Sequence, residues 1–409
     1  MELMYRRCAG LDVHKNSVVA CARLVGESGG VTQETRTFEA TTKGLLELQT
    51  WLLEQGVTHA VMEATGVYWK PVWHVLEGTI ALLLGNAAHL RNVPGRKSDV
   101  SDAEWLANLV AHGLVRGSFV PPGPVQELRD LTRTRKQLMR ERTRHIQRIQ
   151  KTLEDANIKL SSVLSDVVGV SGRRMLDALI AGESDPDVLA SLVHARVLAK
   201  REDLREALRG RATPHHRYLL KLHLAQVDSL DALVADLDGQ IGEHLRPFRD
   251  AVERLDAIPG VSATAAAVIV SEIGDDMKRF PTAGHLVSWA GLCPRMDESA
   301  GRRRSTRIRK GAPWLKVVLV QCALSAARVK NSYYRAQYHR LRTRRGAKKA
   351  AIAVAASLLT AIYHMLKDGT LFEDLGVRYF DRRDETKVVN RLTRRLNDLG
   401  YAVELRKAA

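Results

Sequence analysis

The chain has 409 residues, enough for two or three domains with separate cores, and carries 63 Lys and Arg against 46 Asp and Glu, a formal charge of +17. Residues 1–112 hold ten basic and twelve acidic side chains, so the rest carries +19, a split that suits a near-neutral core joined to parts that bind nucleic acid. Four cysteines without a CxxC pair, no signal-peptide pattern, and a longest apolar helix (350–366) short of the ~20 residues of a span exclude a disulfide scaffold, a zinc module and a membrane protein. A cytoplasmic protein with reduced thiols is expected.

Residues 9–13 (Ala-Gly-Leu-Asp-Val) form an apolar run broken by one acid, and residues 17–24 follow as a second strand. Gly26, Gly29 and Gly30 mark a turn before a third strand over 35–40. Residues 43–55 place Leu45, Leu46, Leu48, Trp51 and Leu52 at helical spacing, with Thr41 or Thr42 as cap. A fourth strand over 59–63 ends in Glu63, followed by a helix over 68–76 and an apolar fifth strand over 79–84. After a loop with Pro94 and Gly95, Asp99 and Asp102 precede Trp105, Leu106, Leu109 and Val110, again at helical spacing.

On a helix, Asp99 and Asp102 share a face. Two carboxylates so placed repel unless a proton or cation lies between them, and Mg²⁺ with oxygen ligands satisfies both. The plainer reading is a helix start with acids at the positive end of its dipole. Asp12 and Glu63 add two acids at strand ends, where a buried unpaired carboxylate is costly, so four acids stand where neighbouring strands and a helix can converge.

Gly10-Leu11-Asp12, Met62-Glu63-Ala64-Thr65-Gly66-Val67-Tyr68, and Lys97-Ser98-Asp99 followed by Asp102-Ala103, in this order and spacing, resemble the RuvC-type domain of the IS110-family transposases. The resemblance implies an α/β ribonuclease-H-like fold for residues 1–120, with Asp12, Glu63, Asp99 and Asp102 as its catalytic, Mg²⁺-binding acids.

Pro121-Pro122-Gly123-Pro124 is a linker, and residues 121–254 read as a long helical, coiled-coil region. Residues 125–160 carry Leu128, Leu131, Leu138, Ile146, Ile149, Leu153 and Ala156 in one stripe. Between Arg129 and Lys151 nine basic residues face only Asp130 and Glu141, which suits a helix lying along phosphates. Arg133, Arg140, Arg144 and Arg148 are the candidate contacts; a merely solvated face is the alternative and usually mixes signs. A second long helix over 218–254 is expected to pack back on the first, and residues 161–217 are helical in pattern without identifiable chemistry.

Residues 255–369 read as a mainly α domain. Leu255-Asp256-Ala257-Ile258-Pro259-Gly260-Val261-Ser262 resembles a helix-hairpin-helix whose second glycine is Ser262, so phosphate binding and a purely structural turn are both open. Ser299 lies on an expected loop followed by Arg302, Arg303, Arg304, Arg307, Arg309 and Lys310, which suit phosphodiester contact. The residues alone do not separate Ser299 from Ser305 or Thr306; the family resemblance implies that Ser299 is the nucleophile. Tyr333, Tyr334 and Tyr338 interleaved with Arg335, Arg340, Arg342, Arg344 and Arg345 suit stacking and phosphate contact. Residues 370–409 read as a C-terminal appendage.

The resemblance further implies strand cleavage and exchange between donor and target DNA, a structured guide RNA, and a homo-oligomer (dimer or tetramer) whose subunits share the serine and the acids. Two other readings compete. A RuvC-like, structure-specific endonuclease using activated water has no need of Ser299, and a non-catalytic nucleic-acid-binding scaffold has no need of the four acids.

Overall fold

The computed structural model describes residues 3–64, 66–86, 90, 101–194, 201–294, 297–299, 301–305, 307–383 and 385–406. The chain divides into two compact units, Met1–Val120 and Pro121–Ala409.

The first unit is built on a five-stranded sheet of order β3-β2-β1-β4-β5, with β1 Arg7–Val13, β2 Ser17–Val25, β3 Val31–Glu39, β4 His59–Glu63 and β5 Ala81–Gly85. The β1–β2–β3 meander is antiparallel, while β4 and β5 run parallel to β1. Parallel pairing needs crossovers, and the helices α1 (Thr42–Glu54) and α2 (Trp69–Leu76) precede β4 and β5 respectively.

Alternation divides the sheet residues between two faces. Ala9, Leu11, Val13, Ala60 and Met62 pack with Leu45, Leu48 and Leu52 of α1 and Val72 and Leu76 of α2. Cys8 and Val61 pack on the other face against Leu106, Leu109 and Val110 of α3 (Asp102–Ala111). Gly10 makes that close approach possible: a Cβ there would lie 2.1 Å from the Ala103 carbonyl oxygen and 2.4 Å from the Ala107 nitrogen. Only a glycine lets α3 rest directly on β1.

The second unit begins with α4 (Gly123–Asp155), which packs along α5 (Pro214–His244). Ion pairs Arg135–Asp238 and Arg142–Asp231 rise along α4 as they descend along α5, so the two helices are antiparallel. Short helices at Leu160–Val163, Val170–Ala181, Pro186–Ser191 and Arg201–Ala207 close one end of the pair. There Ile149, Leu153, Ile158, Leu160, Leu176, Leu220 and Leu224 share one core, which gives residues 161–217 a packing role that their pattern left open.

Beyond the pair come α6 (Arg249–Asp256), α7 (Ala263–Ile273), α8 (Ala283–Trp289), a two-stranded hairpin of β6 (Asp297–Ser299) and β7 (Arg302–Ser305), then α9 (Pro313–Ala326), α10 (Tyr333–Arg345), α11 (Ala347–Asp368), α12 (Tyr379–Arg383) and α13 (Glu385–Asp398). Helix α11 has 22 residues, long and apolar enough by itself to cross a membrane and longer than expected from its polar interruptions. Ala350, Val354, Leu358, Leu359 and Ile362 are fully or nearly fully buried along it, as in a core helix packed by α9 and α10.

Candidate active site and nucleic-acid surface

Three of the four expected acids are described, and the sheet places them. Leu11 pairs with Met62 in the parallel β1–β4 ladder, so Asp12, the penultimate residue of β1, and Glu63, the last of β4, fall side by side one step further on. By alternation both share the face of Cys8, Gly10 and Val61, against which α3 lies. Helix α3 starts at Asp102, one residue before the Ala103 carbonyl that meets Gly10. Acids from three separate elements are thereby brought to one end of one face. The Asp12 side chain is 27% exposed, and its Oδ2 lies 3.2 Å from Nε2 of His14. His14 was missed in the sequence, although it stands two residues after Asp12 at the same strand end.

The helix face expected to be shared by Asp99 and Asp102 falls partly outside the described residues, within which helix α3 begins at Asp102. Ser101 is the extended N-cap, its hydroxyl accepting from the Glu104 N–H at 3.2 Å, so the helix begins after it. Asp99 lies outside the described residues, as do Thr65 and Thr306. Among the described residues no group of three or more His, Cys, Asp or Glu side chains is close enough to hold a metal ion. The donor chemistry nonetheless fits a hard cation: every candidate ligand is a carboxylate.

Ser299 is the last residue of β6, and its backbone pairs with Arg302 of β7 across a tight turn that includes Gly301. Gly301 has φ 72, the left-handed conformation such a turn asks of glycine. The expected loop is therefore a hairpin. Its base is braced by a Pro294–Ile308 bridge and by Lys316, whose ammonium donates to the carbonyls of Arg309 (2.9 Å) and Lys310. Gly291 and Gly311 cross so closely that a Cβ on Gly311 would lie 2.4 Å from the Gly291 Cα. Arg302, Arg307, Arg309 and Lys310 are exposed, while the Arg303 and Arg304 side chains lie outside what is described.

The basic helix α4 proves to have two jobs. Arg133 donates from Nε and Nη2 to the two carboxylate oxygens of Glu272 at 2.8 Å each, and Glu272 is fully buried. Arg129 donates to the backbone carbonyls of Ser271 (3.2 Å) and Glu272 (2.6 Å), and burial pushes its guanidinium down to about 10, with Glu272 opposing. Arg135 and Arg142 pair with α5 acids. Arg133, expected to contact phosphate, has its Nε and Nη2 engaged by the protein's own buried acid. Arg140, Arg144, Arg148 and Lys151 remain exposed, at steps of three or four that put them on one stripe.

The Tyr-Arg face of α10 is also partly spoken for. Tyr333 stacks on Phe380 at 5.1 Å and Tyr334 on Phe372 at 5.9 Å, and the Tyr333 N–H donates to Asp374 at 2.9 Å. Residues 372–380 cover these two rings, so Tyr333 and Tyr334 serve as packing for that part of the C-terminal segment. Arg342, Arg344 and Arg345 stay exposed.

An acid-bearing mixed α/β unit followed by a basic, helical unit is the architecture of a protein that acts on nucleic acid. The chain belongs to the IS110 transposase family. A family model for the DEDD transposase of IS110 type, described as a transposase, matches residues 9–158, and one described as the transposase IS116/IS110/IS902 family matches residues 252–339. Among similar proteins, an insertion element IS900 uncharacterized 42 kDa protein of Mycobacterium paratuberculosis is 28% identical over 331 residues, covering 72% of this chain and 80% of its own. An insertion element IS116 uncharacterized 44.8 kDa protein of Streptomyces clavuligerus is 26% identical over 339 residues with the same coverage. An insertion element IS110 uncharacterized 43.6 kDa protein of Streptomyces coelicolor is 33% identical over 126 residues, 29% of each chain.

Proposed function

We propose that this chain cuts and rejoins DNA strands of an insertion element by transesterification, with Asp12, Glu63, Asp99 and Asp102 forming the metal-binding centre of a ribonuclease-H-like domain and Ser299 as nucleophile. The observation that supports it most directly is the β1–β4 register, which ends two neighbouring parallel strands in acids on the face where α3 starts with Asp102. These carboxylates would hold Mg²⁺, which would supply positive charge to polarise a scissile phosphate and steady the leaving oxygen. Nε2 of His14 lies 3.2 Å from Oδ2 of Asp12, where it helps to fix the orientation of that carboxyl group.

Ser299, on a braced hairpin among arginines, supplies the attacking oxygen. Its Oγ bonds to phosphorus as the P–O bond to the leaving strand breaks, and the leaving oxygen keeps that electron pair and takes a proton. Serine is a poor nucleophile at neutral pH until a base takes its proton, and that proton balances the one the leaving oxygen gains. The resulting phosphoserine ester conserves the bond energy for rejoining, so no nucleotide cofactor is required. The exposed stripe of α4 and the arginines around β7 hold the strands by their phosphates. The α4–α5 pair acts as a coiled-coil arm, and the α6–α7 turn as a helix-hairpin-helix whose Ser262 serves as N-cap. A guide RNA selects donor and target by base pairing, and the working form is a homo-oligomer.

The test is the product. Incubated with its element ends, guide transcript and Mg²⁺, the protein leaves a denaturant-resistant protein–DNA adduct that Ser299→Ala does not form. Robust cleavage by Ser299→Ala with no adduct in the wild type would overturn the serine mechanism and favour hydrolysis by water.

A further inference from the structure

Three helices of the second unit enclose a cleft of about 280 Å³ that the proposed chemistry does not use. One wall is α4, contributing Arg133, Lys136 and Arg140; another is the start of α9, contributing Pro313, Trp314 and Val317; the floor is α7, with Glu272. The volume is at the lower edge of small-molecule pockets, the size for one compact planar group.

Its charge and surface are unlike a packing defect. Glu272 is already neutralised by Arg133, so Lys136 and Arg140 at the rim leave the cleft cationic. The apolar side is equally unusual: Val317 is 43% exposed and Pro313 is exposed, and the half-buried Trp314 ring lies among them. The guanidiniums of Arg133 and Arg140 sit 5.5 and 5.1 Å from the Trp314 centroid, a cation–π arrangement that fixes the ring and brings positive charge beside it. Helix α4 then continues from Arg140 to the exposed Arg144, Arg148 and Lys151, about 6 Å per four-residue step. A strand tracking that stripe by its phosphates reaches the cleft without a break.

We infer that this cleft receives a single unpaired nucleotide of a bound strand, its base against Trp314, Pro313 and Val317 and its phosphate on Lys136 and Arg140. Flat aromatic surface beside guanidinium charge is the pairing by which proteins hold splayed-out bases of either DNA or RNA. The inference rests on the nucleic-acid-binding reading above but not on the acids or on Ser299.

It is tested by equilibrium binding of the full chain to a fully paired duplex and to the same duplex with one extra, unpaired nucleotide, in DNA and RNA versions. The wild type is expected to favour the bulged form by ~10-fold, within the range of one stacked base; the version showing the preference identifies the strand. Trp314→Phe retains most of that preference, whereas Trp314→Ala loses it while binding the paired duplex as the wild type does. A 5-bromouracil at the bulge photo-crosslinks to the peptide that contains Trp314, a readout that needs no variant. Equal binding of bulged and paired forms by the wild type, or crosslinks only elsewhere, would overturn the inference while leaving general nucleic-acid binding intact. Failure to bind either duplex would overturn both.

Discussion

At the scale of single residues, the two units rely on different uses of the carboxylate. Asp12 is partly exposed beside His14, whereas Glu272 is buried and shared between two guanidiniums. An isosteric amide separates the two roles. Asp12→Asn removes one ligand charge at little cost in packing, so strand cleavage in Mg²⁺ is expected to vanish while nucleic-acid binding survives; wild-type cleavage by this variant would remove Asp12 from the centre. Glu272→Gln instead leaves Arg129 and Arg133 facing an uncharged partner in a buried place. Breaking such a pair costs about 3 kcal/mol or more, which appears as a lower denaturant midpoint with an unchanged slope. A midpoint within error of wild type would mean that water reaches these arginines and screens them.

At the scale of elements, spacing along α4 sorts its charges. Arg129 and Arg133 lie over α7 and Arg135 and Arg142 over α5, while Arg144, Arg148 and Lys151 are exposed. Replacing these last three by Gln is expected to weaken nucleic-acid binding and flatten its salt dependence by roughly 0.7–0.9 units of log–log slope per lost contact, with thermal stability preserved. An unchanged slope would make them ordinary solvated residues. The nine-to-two excess of basic residues on this helix was legible from the sequence, yet it overstated the free charge. Asp231 and Asp238 arrive from about 90 to 100 residues away and take up two of those cations. Tyr333 and Tyr334 of α10 are engaged in the same way, since Phe380 and Phe372 reach them through a return of the chain that no local pattern announces.

At the scale of the whole molecule, the proposed reaction asks an acid centre and a serine from different parts of the chain to meet at one phosphodiester. If separate subunits of an oligomer supply them, neither Asp12→Asn nor Ser299→Ala protein cleaves alone, but a mixture regains part of the wild-type activity, seen as adduct on the Asp12→Asn chain. No recovery over a range of mixing ratios would mean that each chain works with its own serine and acids.

The strand and helix order of the first unit could be read from sequence because each element carries its own signature: a short apolar run in β4, a period near 3.6 in α1 and α3. The acids could be read because an ionisable group ending an apolar run is conspicuous wherever it falls. The start of α3 was placed too early because a capping serine and a helical serine look alike in sequence, and only the extended backbone at Ser101 separates them. Which strands are neighbours, and hence that Asp12 and Glu63 end side by side, was settled by β1–β4 pairing across some fifty residues of chain. The same holds for Gly10, whose lack of a side chain matters only because α3 lies on it, and for Arg133, whose charge is spent on Glu272. Local periodicity records what a residue prefers to be near, water or oil; the identity of its neighbour is a property of the folded chain alone.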